Sequence, residues 1–401
     1  MSPRRPVGKY DVACIEREGE WQALEADWRR LVRESENATL FSDWEWTRTW
    51  WEVFSGPEYR LKILVVSSAG RVVGIVPLCV FPAAYAGGII AARVLRLLGS
   101  GEAAQDEVST EYADFIVSPG FEADVAMESA RFVFGDLGRD WDIAVFDNIL
   151  EHAAILEHFL PAAAMHGARQ FVSPIGRRYF AALPEDWETY LAKVSKRTRS
   201  NLLAAQRRFA RLTGADVELH CGGGEVLRAF DRLAALHSER WRAQGLSGAF
   251  ASARFVDFHR RFLNRMQHQG QEGARLWILT IDDRDVAAVY GLEQHGQLHI
   301  YQTGIDPRIY KNLSPGLLLL AHAISWSIER RLRIFDLMLS PSADYKARFS
   351  PQTAEMSRVL MFNRSLRGGG AYLFWRIKRG ARKIVGAVMN LRRRGADVAK
   401  A

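Results

Sequence analysis

The chain has 401 residues, of which 48% are hydrophobic and 25% charged, with a formal net charge of +8, as in an ordinary soluble protein of two or three domains. Its three cysteines, Cys14, Cys79 and Cys221, are scattered, which argues against a disulfide framework or a structural zinc site and suits a reducing cytoplasm. Residues 1–20 carry charge throughout and contain no apolar run, so we expect no signal peptide.

The first half of the chain alternates between helical and strand patterns. It predicts helices at 21–31, 123–134 and 152–166, and strands at 61–67, 71–78, 112–117 and 141–147. Such alternation is typical of an α/β or α+β layer architecture.

The segment 74–92 is uncharged and mostly apolar, so it needs a check as a membrane span. Pro77, Pro82, Gly87 and Gly88 interrupt it too often for a spanning helix. We predict a buried strand to about Leu78 followed by a loop, and a loop facing lipid is the alternative.

The second half also alternates between helical and strand patterns. It predicts helices at 191–212, 226–243, 255–267 and 315–330, a strand meander at 276–281, 286–293 and 298–303, and a strand at 333–339. A boundary between two units is expected near residue 180.

Ser314, Pro315 and Gly316 stand directly before the Leu-rich run of the last predicted helix. Serine is a good N-cap, proline suits the first helical position, and glycine lets a ligand approach the backbone closely. The free N–H groups of such a helix start form an anion site, although a plain cap on a core helix is the simpler alternative. No Walker-type lysine follows, so nucleotide hydrolysis is not indicated.

The basic character of the chain is concentrated in its tail. Ten basic residues and no acidic ones lie between Arg364 and Arg394, and without them the net charge of +8 becomes −2. Apolar residues recur there at steps of three and four, as expected for one face of a helix. This pattern indicates that residues 371–394 bind an anionic membrane surface; a helix packed on the body with a solvated basic face is the alternative. Nucleic-acid binding is not favoured, because no recognised module accompanies the basic residues.

A series of short motifs runs through both halves in a specific order. They are Phe41-Ser42-x-x-Trp46, Gly74-Ile75-Val76-Pro77-Leu78, Leu95-x-x-Leu98-Gly99, Tyr112-x-Asp114-Phe115, Ser195-Lys196-Arg197-x-Arg199, His237-x-x-Arg240-Trp241, Tyr301-x-x-Gly304-x-Asp306-Pro307, Ser314-Pro315-Gly316, Phe335-Asp336-Leu337 and Tyr345-Lys346. In this order they resemble the acetyltransferase domain of CelD-like proteins, which belong to the GNAT superfamily and are related to the FemAB aminoacyltransferases. The resemblance covers roughly residues 20–365, and Ser340-Pro341 departs from it where the family usually has a glycine.

The resemblance implies an α/β (α+β) fold of two GNAT-like units in tandem, each a mixed sheet flanked by helices. It divides the chain into a degenerate first unit (1–180), an acyltransferase unit (181–364) and a basic amphipathic tail (365–401).

The resemblance also implies acyl-CoA as the donor, with no metal. Together with the residues near the expected cleft, it gives three groups of site candidates. The expected cofactor-binding residues are Thr303, Gly304, Lys311, Ser314, Gly316 and Leu317. The expected substrate-binding residues are Lys196, Arg199, Arg240, Trp241, Tyr301 and Lys346. For proton transfer the candidates are Asp336, Tyr345, Glu293, His237 and His299.

Several of these residues keep a structural alternative. Asp336 lies in an otherwise apolar strand, where an unpaired carboxylate would be costly and its pKa raised. It is therefore either paired with Lys346 or an arginine, or tuned for catalysis. Tyr345 could protonate a leaving thiolate or be a packed aromatic, and His237 could be a structural histidine on its helix.

The leading hypothesis is an acyl-CoA-dependent N-acyltransferase, located in the cytoplasm and peripheral on the inner face of the plasma membrane. Its acceptor would be an amine of a cell-envelope precursor or amphiphile, such as an amino sugar or a sphingoid-type lipid. The alternatives are a FemAB-like transferase that uses aminoacyl-tRNA, and a non-catalytic GNAT-like partner in exopolysaccharide production.

Overall fold

A computed structural model describes residues 9–85, 88–266, 272–306, 308, 313–341 and 345–379. Its helices are α1 (Glu18–Gln22), α2 (Glu25–Glu34), α3 (Trp44–Phe54), α4 (Glu122–Phe134), α5 (Leu160–Met165), α6 (Trp187–Lys193), α7 (Lys196–Phe209), α8 (Gly223–Arg242), α9 (Ala253–Met266), α10 (Pro315–Glu329) and α11 (366–379). Its strands are β1 (Tyr10–Ile15), β2 (Arg60–Leu61), β3 (Ile63–Ser68), β4 (Arg71–Val76), β5 (Leu78–Tyr85), β6 (Ile90–Leu97), β7 (Ile116–Val117), β8 (Ile143–Leu150), β9 (Arg169–Ala182), β10 (Ala215–His220), β11 (Gly273–Ile281), β12 (Arg284–Gln294), β13 (Gln297–Ile305), β14 (Ile334–Ser340) and β15 (Gln352–Phe362).

The strands form two sheets that are flanked by helices. A four-stranded sheet has the order β1-β3-β4-β7, and an eleven-stranded sheet has the order β10-β11-β12-β13-β14-β9-β15-β8-β6-β5-β2. The molecule is thus a mixed α/β protein with a tandem GNAT-like fold, as predicted. We call β1 to α5 the first unit and α6 to β14 the second unit.

Two long strands join the units. β9 pairs with β14 of the second unit and with β15, and β15 pairs in turn with β8 of the first unit. Residue 180, where we expect the boundary, therefore lies inside β9. The division at 180 and 364 stays a prediction.

Strands β13 and β14 separate after a short parallel pairing. Only three residue pairs join them, from Gln297–Ile334 to His299–Asp336, although β13 continues to Ile305 and β14 to Ser340. Tyr301 is an extra residue in β13, because Ile300 pairs with Gly291 and Gln302 with the preceding Tyr290. A wedge therefore opens between the two strands, and it leaves one edge of β13 without a strand partner in the described residues.

The largest hydrophobic core is shared by both units. Trp46 of α3 is fully buried, and its ring centroid lies 4.8 Å from Phe258 and 5.1 Å from Phe262 of α9. Such aromatic pairs add about 0.5–1.5 kcal/mol beyond the burial of their area. This core fixes the first unit against the helices that border the wedge.

Most predicted elements are confirmed, with four corrections. The predicted helix 21–31 is two helices, because α1 ends at Gln22 and α2 begins at Glu25. The predicted helix 191–212 is two helices, because Ser195 breaks it and accepts a hydrogen bond from Thr198 N at 3.1 Å. The predicted loop after Leu78 is strand β5, which pairs with β6 up to Tyr85. The strand predicted at 112–117 begins only at Ile116, and Tyr112 has a φ of +56° that no regular strand contains. No helix of the described segments is long and apolar enough to span a bilayer.

Candidate active site

A loop of the first unit closes one end of the wedge. Glu111 and Tyr112 of this loop contact β14: the Leu339 N–H donates to Glu111 Oε2 at 2.8 Å, and the Tyr112 hydroxyl donates to Asp336 Oδ1 at 3.2 Å. These contacts join residues more than two hundred positions apart. The wedge is therefore built by both units.

Asp336 is fully buried, and donors surround its carboxylate. Besides Tyr112, the Arg178 Nε and the His299 Nδ1 each lie 3.0 Å from Oδ2, and the Met338 N–H donates to Oδ1 at 2.8 Å. Burial alone would raise the pKa of Asp336, but Arg178 and His299 hold it down at about 2. Of the two readings left open by the sequence, the structure shows the pairing with an arginine.

Glu111 lies near Asp336, but its pKa is shifted in the opposite direction. It is buried, it accepts the Leu339 N–H, and its partners are too few to offset the loss of water. Burial, with a further contribution from the charge of Asp336, raises the pKa of Glu111 to about 7. A carboxylate with this pKa exchanges a proton near neutral pH, as a general base must.

Lys346 reaches the same strand segment. Its ammonium donates to the Leu339 carbonyl at 2.8 Å. Both backbone polar groups of Leu339 are therefore paired with side chains: its N–H donates to Glu111 and its carbonyl accepts from Lys346. Tyr345 is about half exposed, and its ring centroid is 6.4 Å from that of Phe349. The Tyr345-Lys346 pair thus stands beside the wedge.

His237 and Trp241 lie behind β13 on α8. The Trp241 Nε1–H donates to His237 Nε2 at 2.8 Å, and burial lowers the pKa of His237 to about 4, so the ring is neutral at pH 7. A Cβ at Gly304 would lie 2.9 Å from Leu236 Cβ and 3.0 Å from the backbone nitrogen of His237. Gly304 therefore allows α8 to pack directly on the backbone of β13.

Tyr301, the extra residue of β13, points into the shared core. Its hydroxyl donates to the Val108 carbonyl and lies 3.2 Å from His259 Nε2. Burial raises the pKa of Tyr301 and lowers that of His259 to about 3. Tyr301 thus ties the wedge to the loop of the first unit that carries Glu111.

The start of α10 faces the end of β13. Ser314 adopts a left-handed conformation with φ +55°, and its side chain caps nothing, so the predicted side-chain cap is wrong. Instead the Ser314 carbonyl accepts the N–H groups of Leu317 and Leu318 at 3.0 and 3.1 Å. A Cβ at Gly316 would lie 2.6 Å from Ile305 Cδ1, which explains the glycine by packing on β13. Lys311 lies outside the described residues.

Of the remaining predicted residues, Glu293 lies apart from these groups. Glu293 forms a buried ion pair with Arg275 at 2.5 Å and lies 3.6 Å from Arg330, just beyond the C-terminal end of α10. A helix of 15 residues is about 20 Å long, so Glu293 is at the opposite end of α10 from Ser314. Lys196 is exposed at the first turn of α7, with Arg199 one turn later.

The corresponding region of the first unit is acidic. A cavity of about 500 Å³ lies beside the start of α4, and Glu36, Asp114, Glu122 and Glu157 line it. Burial raises the pKa of Asp114 to about 6. The carboxylates of this cavity disfavour the binding of phosphates. Among the described residues, no group of His, Cys, Asp and Glu is arranged to hold a metal ion.

Residues 196–347 match the sequence profile of a family described as an acetyltransferase (GNAT) domain. This stretch, which covers most of the second unit, is therefore similar to GNAT acetyltransferase domains. The match begins at α7, ends just after Lys346, and so includes β13 and β14 but not Glu111 or Tyr112. A search of curated proteins finds no match.

Solved structures are similar in fold to most of the chain. A structure of FemX has 10% sequence identity and a TM-score of 0.56, over 84% of this chain and 95% of that one. A protein of unknown function from Bacteroides thetaiotaomicron has 11% identity and a TM-score of 0.51, over 90% and 100%. The C-terminal domain of a putative lysylphosphatidylglycerol synthetase from Agrobacterium fabrum has 13% identity and a TM-score of 0.49, over 84% and 91%. At these identities the likeness is one of fold.

Proposed function

We propose that the protein is an acyl-CoA-dependent N-acyltransferase, of the CelD-like kind that its motifs resemble. The observation that carries the proposal is the wedge between β13 and β14, where an unpaired strand edge, a helix start and the Glu111 carboxylate converge. Each of these supplies one requirement of acyl transfer from a thioester to an amine.

The donor would lie along the unpaired edge of β13. An extended chain with amide groups can add to such an edge as an extra strand does, and the pantetheine arm of coenzyme A has this character. Thr303 and Gly304 would flank it, and a backbone N–H in this part of β13 would polarise the thioester carbonyl. One such donor is often worth about 3 kcal/mol in the transition state.

The pyrophosphate would then reach the first turn of α10. The start at Ser314 has no side-chain cap, so the Gly316 N–H is the proposed donor to the phosphate, whereas the Leu317 N–H already donates to the Ser314 carbonyl. Gly316 and Leu317 belong to this turn, and Lys311 precedes it in the sequence.

Glu111 is the proposed general base. It would take a proton from the acceptor ammonium, after which the amine nitrogen attacks the thioester carbon. The new C–N bond forms, the C–S bond breaks, and the coenzyme A thiolate takes up a proton. Tyr345 is the proposed donor of that proton, and the second proton lost by the amine nitrogen restores the Tyr345 hydroxyl. Arg178 holds the pKa of Asp336 too low for these tasks, and Asp336 instead positions β14.

The proposed acceptor is an amine of a cell-envelope precursor or amphiphile at the inner face of the plasma membrane. Arg240, Trp241, Lys196 and Arg199 are its proposed contacts, since the first two follow His237 on α8 and the others begin α7. Transfer from aminoacyl-tRNA, and a non-catalytic role in exopolysaccharide production, are the alternatives.

The test is calorimetric titration of the full chain with coenzyme A, acetyl-CoA and a long-chain acyl-CoA. We expect all three to bind and the long-chain thioester to bind most tightly. A parallel assay offers an aminoacyl-tRNA and an acyl-CoA with the same soluble amine. Transfer only from the tRNA would replace the proposal by its first alternative, and neither binding nor transfer would leave the non-catalytic one.

A further inference from the structure

A strip of exposed apolar side chains runs along α11. Leu366, Leu373 and Ile377 are 97%, 59% and 63% exposed, and Gly370 stands between the first two. The steps of four, three and four residues place all of them on one face of the helix. The side chains on this face are exposed to solvent.

The other side of α11 is packed on the protein. The ring centroid of Trp375 lies 4.0 Å from that of Phe171 on β9, and the ring of Phe374 lies 6.3 Å from Tyr85 on β5. Ala371 is fully buried. Because these contacts already attach the helix, the exposed strip has no role in holding α11 in place.

The tip of the β5–β6 hairpin adjoins this strip. Ile89 at the tip is 83% exposed, and Ile90 Cδ1 lies 3.6 Å from the place that a Cβ on Gly370 would take. Exposed apolar residues that occur singly are normal in proteins, whereas a contiguous group marks an interaction site. Here two separate elements contribute to one group.

Basic residues surround the group. Residues 364–379 contain five, and no acidic residue: Arg364, Arg367, Arg376, Lys378 and Arg379. None of the five forms an ion pair with a carboxylate in the described part of the chain. We call these five residues, together with Ile89, Leu366, Leu373 and Ile377, the apolar–basic patch.

We infer that the apolar–basic patch docks on an anionic lipid bilayer, with the α11 strip and the Ile89 tip inserted among the lipids and the cations at the headgroups. An amphipathic helix rich in Lys and Arg binds membranes in this manner. A nucleic acid would not use the apolar strip. A dimer formed through two patches would bring ten cations together, and their repulsion disfavours it. The inference locates the membrane contact of the proposed function, but it can be tested without catalysis.

The test is sedimentation of the full chain with vesicles of phosphatidylcholine, with and without phosphatidylglycerol. We expect binding only when phosphatidylglycerol is present, and weaker binding at high salt. Lys378→Gln should weaken binding about five-fold. The double variant Leu373→Glu, Ile377→Glu, and separately Ile89→Glu, should each weaken it at least about ten-fold, since each removes buried apolar area.

The matched control is Met127→Glu on α4, because Met127 is 51% exposed but lies outside the patch. It should bind vesicles as the unchanged protein does. Equal vesicle binding by all variants would overturn the inference, as would a lack of binding by the unchanged protein. A dimer in light scattering that Leu373→Glu, Ile377→Glu dissociates would assign the patch to self-association instead. Acyl-CoA binding, measured on the same samples, separates failure of this inference from failure of the proposed function.

Discussion

Glu111 and Asp336 are two buried carboxylates at one end of the wedge, and their surroundings move their pKa values apart. Asp336 has an arginine, an imidazole, a phenol and a backbone N–H around it, so its charge is compensated. For Glu111, the pKa is lowered by a single backbone donor from β14 and by the nearby Lys346 ammonium. These two effects do not offset full burial, which raises the pKa. Two acids pushed in opposite directions are a common basis for dividing catalytic and structural roles.

Glu111→Gln should lower kcat/KM for acyl transfer about a hundred-fold or more, because it removes the proposed base but keeps an oxygen for the Leu339 N–H. In the unchanged protein, kcat/KM should rise with pH and level off above about 7, where Glu111 loses its proton. The variant should lack this inflection. The measurement is the pH dependence of kcat/KM with a soluble amine.

Glu102→Gln provides the control for this prediction. Glu102 is a partly buried carboxylate of the same loop, but it accepts from Trp50 Nε1 and Val108 N rather than from β14. Its replacement should reduce stability and leave the inflection in place. An inflection that survives Glu111→Gln would remove Glu111 from the mechanism.

Asp336→Asn should lower the free energy of unfolding by about 3–5 kcal/mol, since it leaves the buried Arg178 charge without compensation. Urea denaturation measures the change. Asp257→Asn is the matched control: it also removes a partner from an arginine, Arg261 at 3.0 Å, but both side chains are about half exposed. The control should cost less than about 0.5 kcal/mol. Equal costs would mean that the buried network does not stabilise the fold.

At the scale of elements, the sequence predicted those with a regular pattern and missed those without one. α10, β12 and β13 have long apolar runs bounded by turn residues, and their predicted bounds are nearly correct. α3 was missed although Glu45, Arg48 and Glu52 recur on one face of it, because its aromatic and β-branched residues also suit a strand. β9 contains Pro174 and Gly176, which favour a loop, and only its pairing with β15 and β14 makes it a strand.

The same reasoning explains which part of the site was predicted. Lys346 and Tyr301 lie in recognisable motifs, and both contact the wedge or its walls. Glu111 carries no signal of its own, although it directly precedes the Tyr112-x-Asp114-Phe115 motif. Its importance arises from a contact with a backbone N–H 228 positions away, which no local pattern can reveal.

The start of α10 offers a prediction about donor binding. Gly316→Ala requires only that the end of the Ile305 side chain shift, whereas Gly316→Val adds two methyl groups beside the first-turn N–H groups. We expect the valine variant to lose acyl-CoA binding in calorimetry and the alanine variant to bind nearly as the unchanged protein does. Circular dichroism serves as the check on folding. Binding retained by the valine variant would place the cofactor phosphates elsewhere.

At the scale of the whole molecule, the shared sheet makes the two units interdependent. β15 follows the second unit in the chain but pairs along its length with β9, and with β8 of the first unit. A chain that ends at residue 350 should therefore unfold in both units, because β8 and β9 lose the strand between them. A chain that ends at residue 379 keeps β15 and α11 and should melt as the full chain does.

Thermal denaturation followed by circular dichroism distinguishes these two truncations. We also expect the fragments 1–180 and 181–364 to be unfolded when each is produced alone, since the cut divides β9. A cooperative melt of either fragment would show that the units are independent domains.

The contact of Glu111 and Tyr112 with β14 limits how the units of related proteins can be recombined. A residue in one half of the chain completes a structure in the other, so a chimera that joins the first unit of one relative to the second unit of another inherits mismatched partners at 111, 112, 178 and 336. Such hybrids should fold and work only when these positions are exchanged together. A substitution at Tyr112 or Asp336 should therefore be tolerated only with a matching change in the other unit.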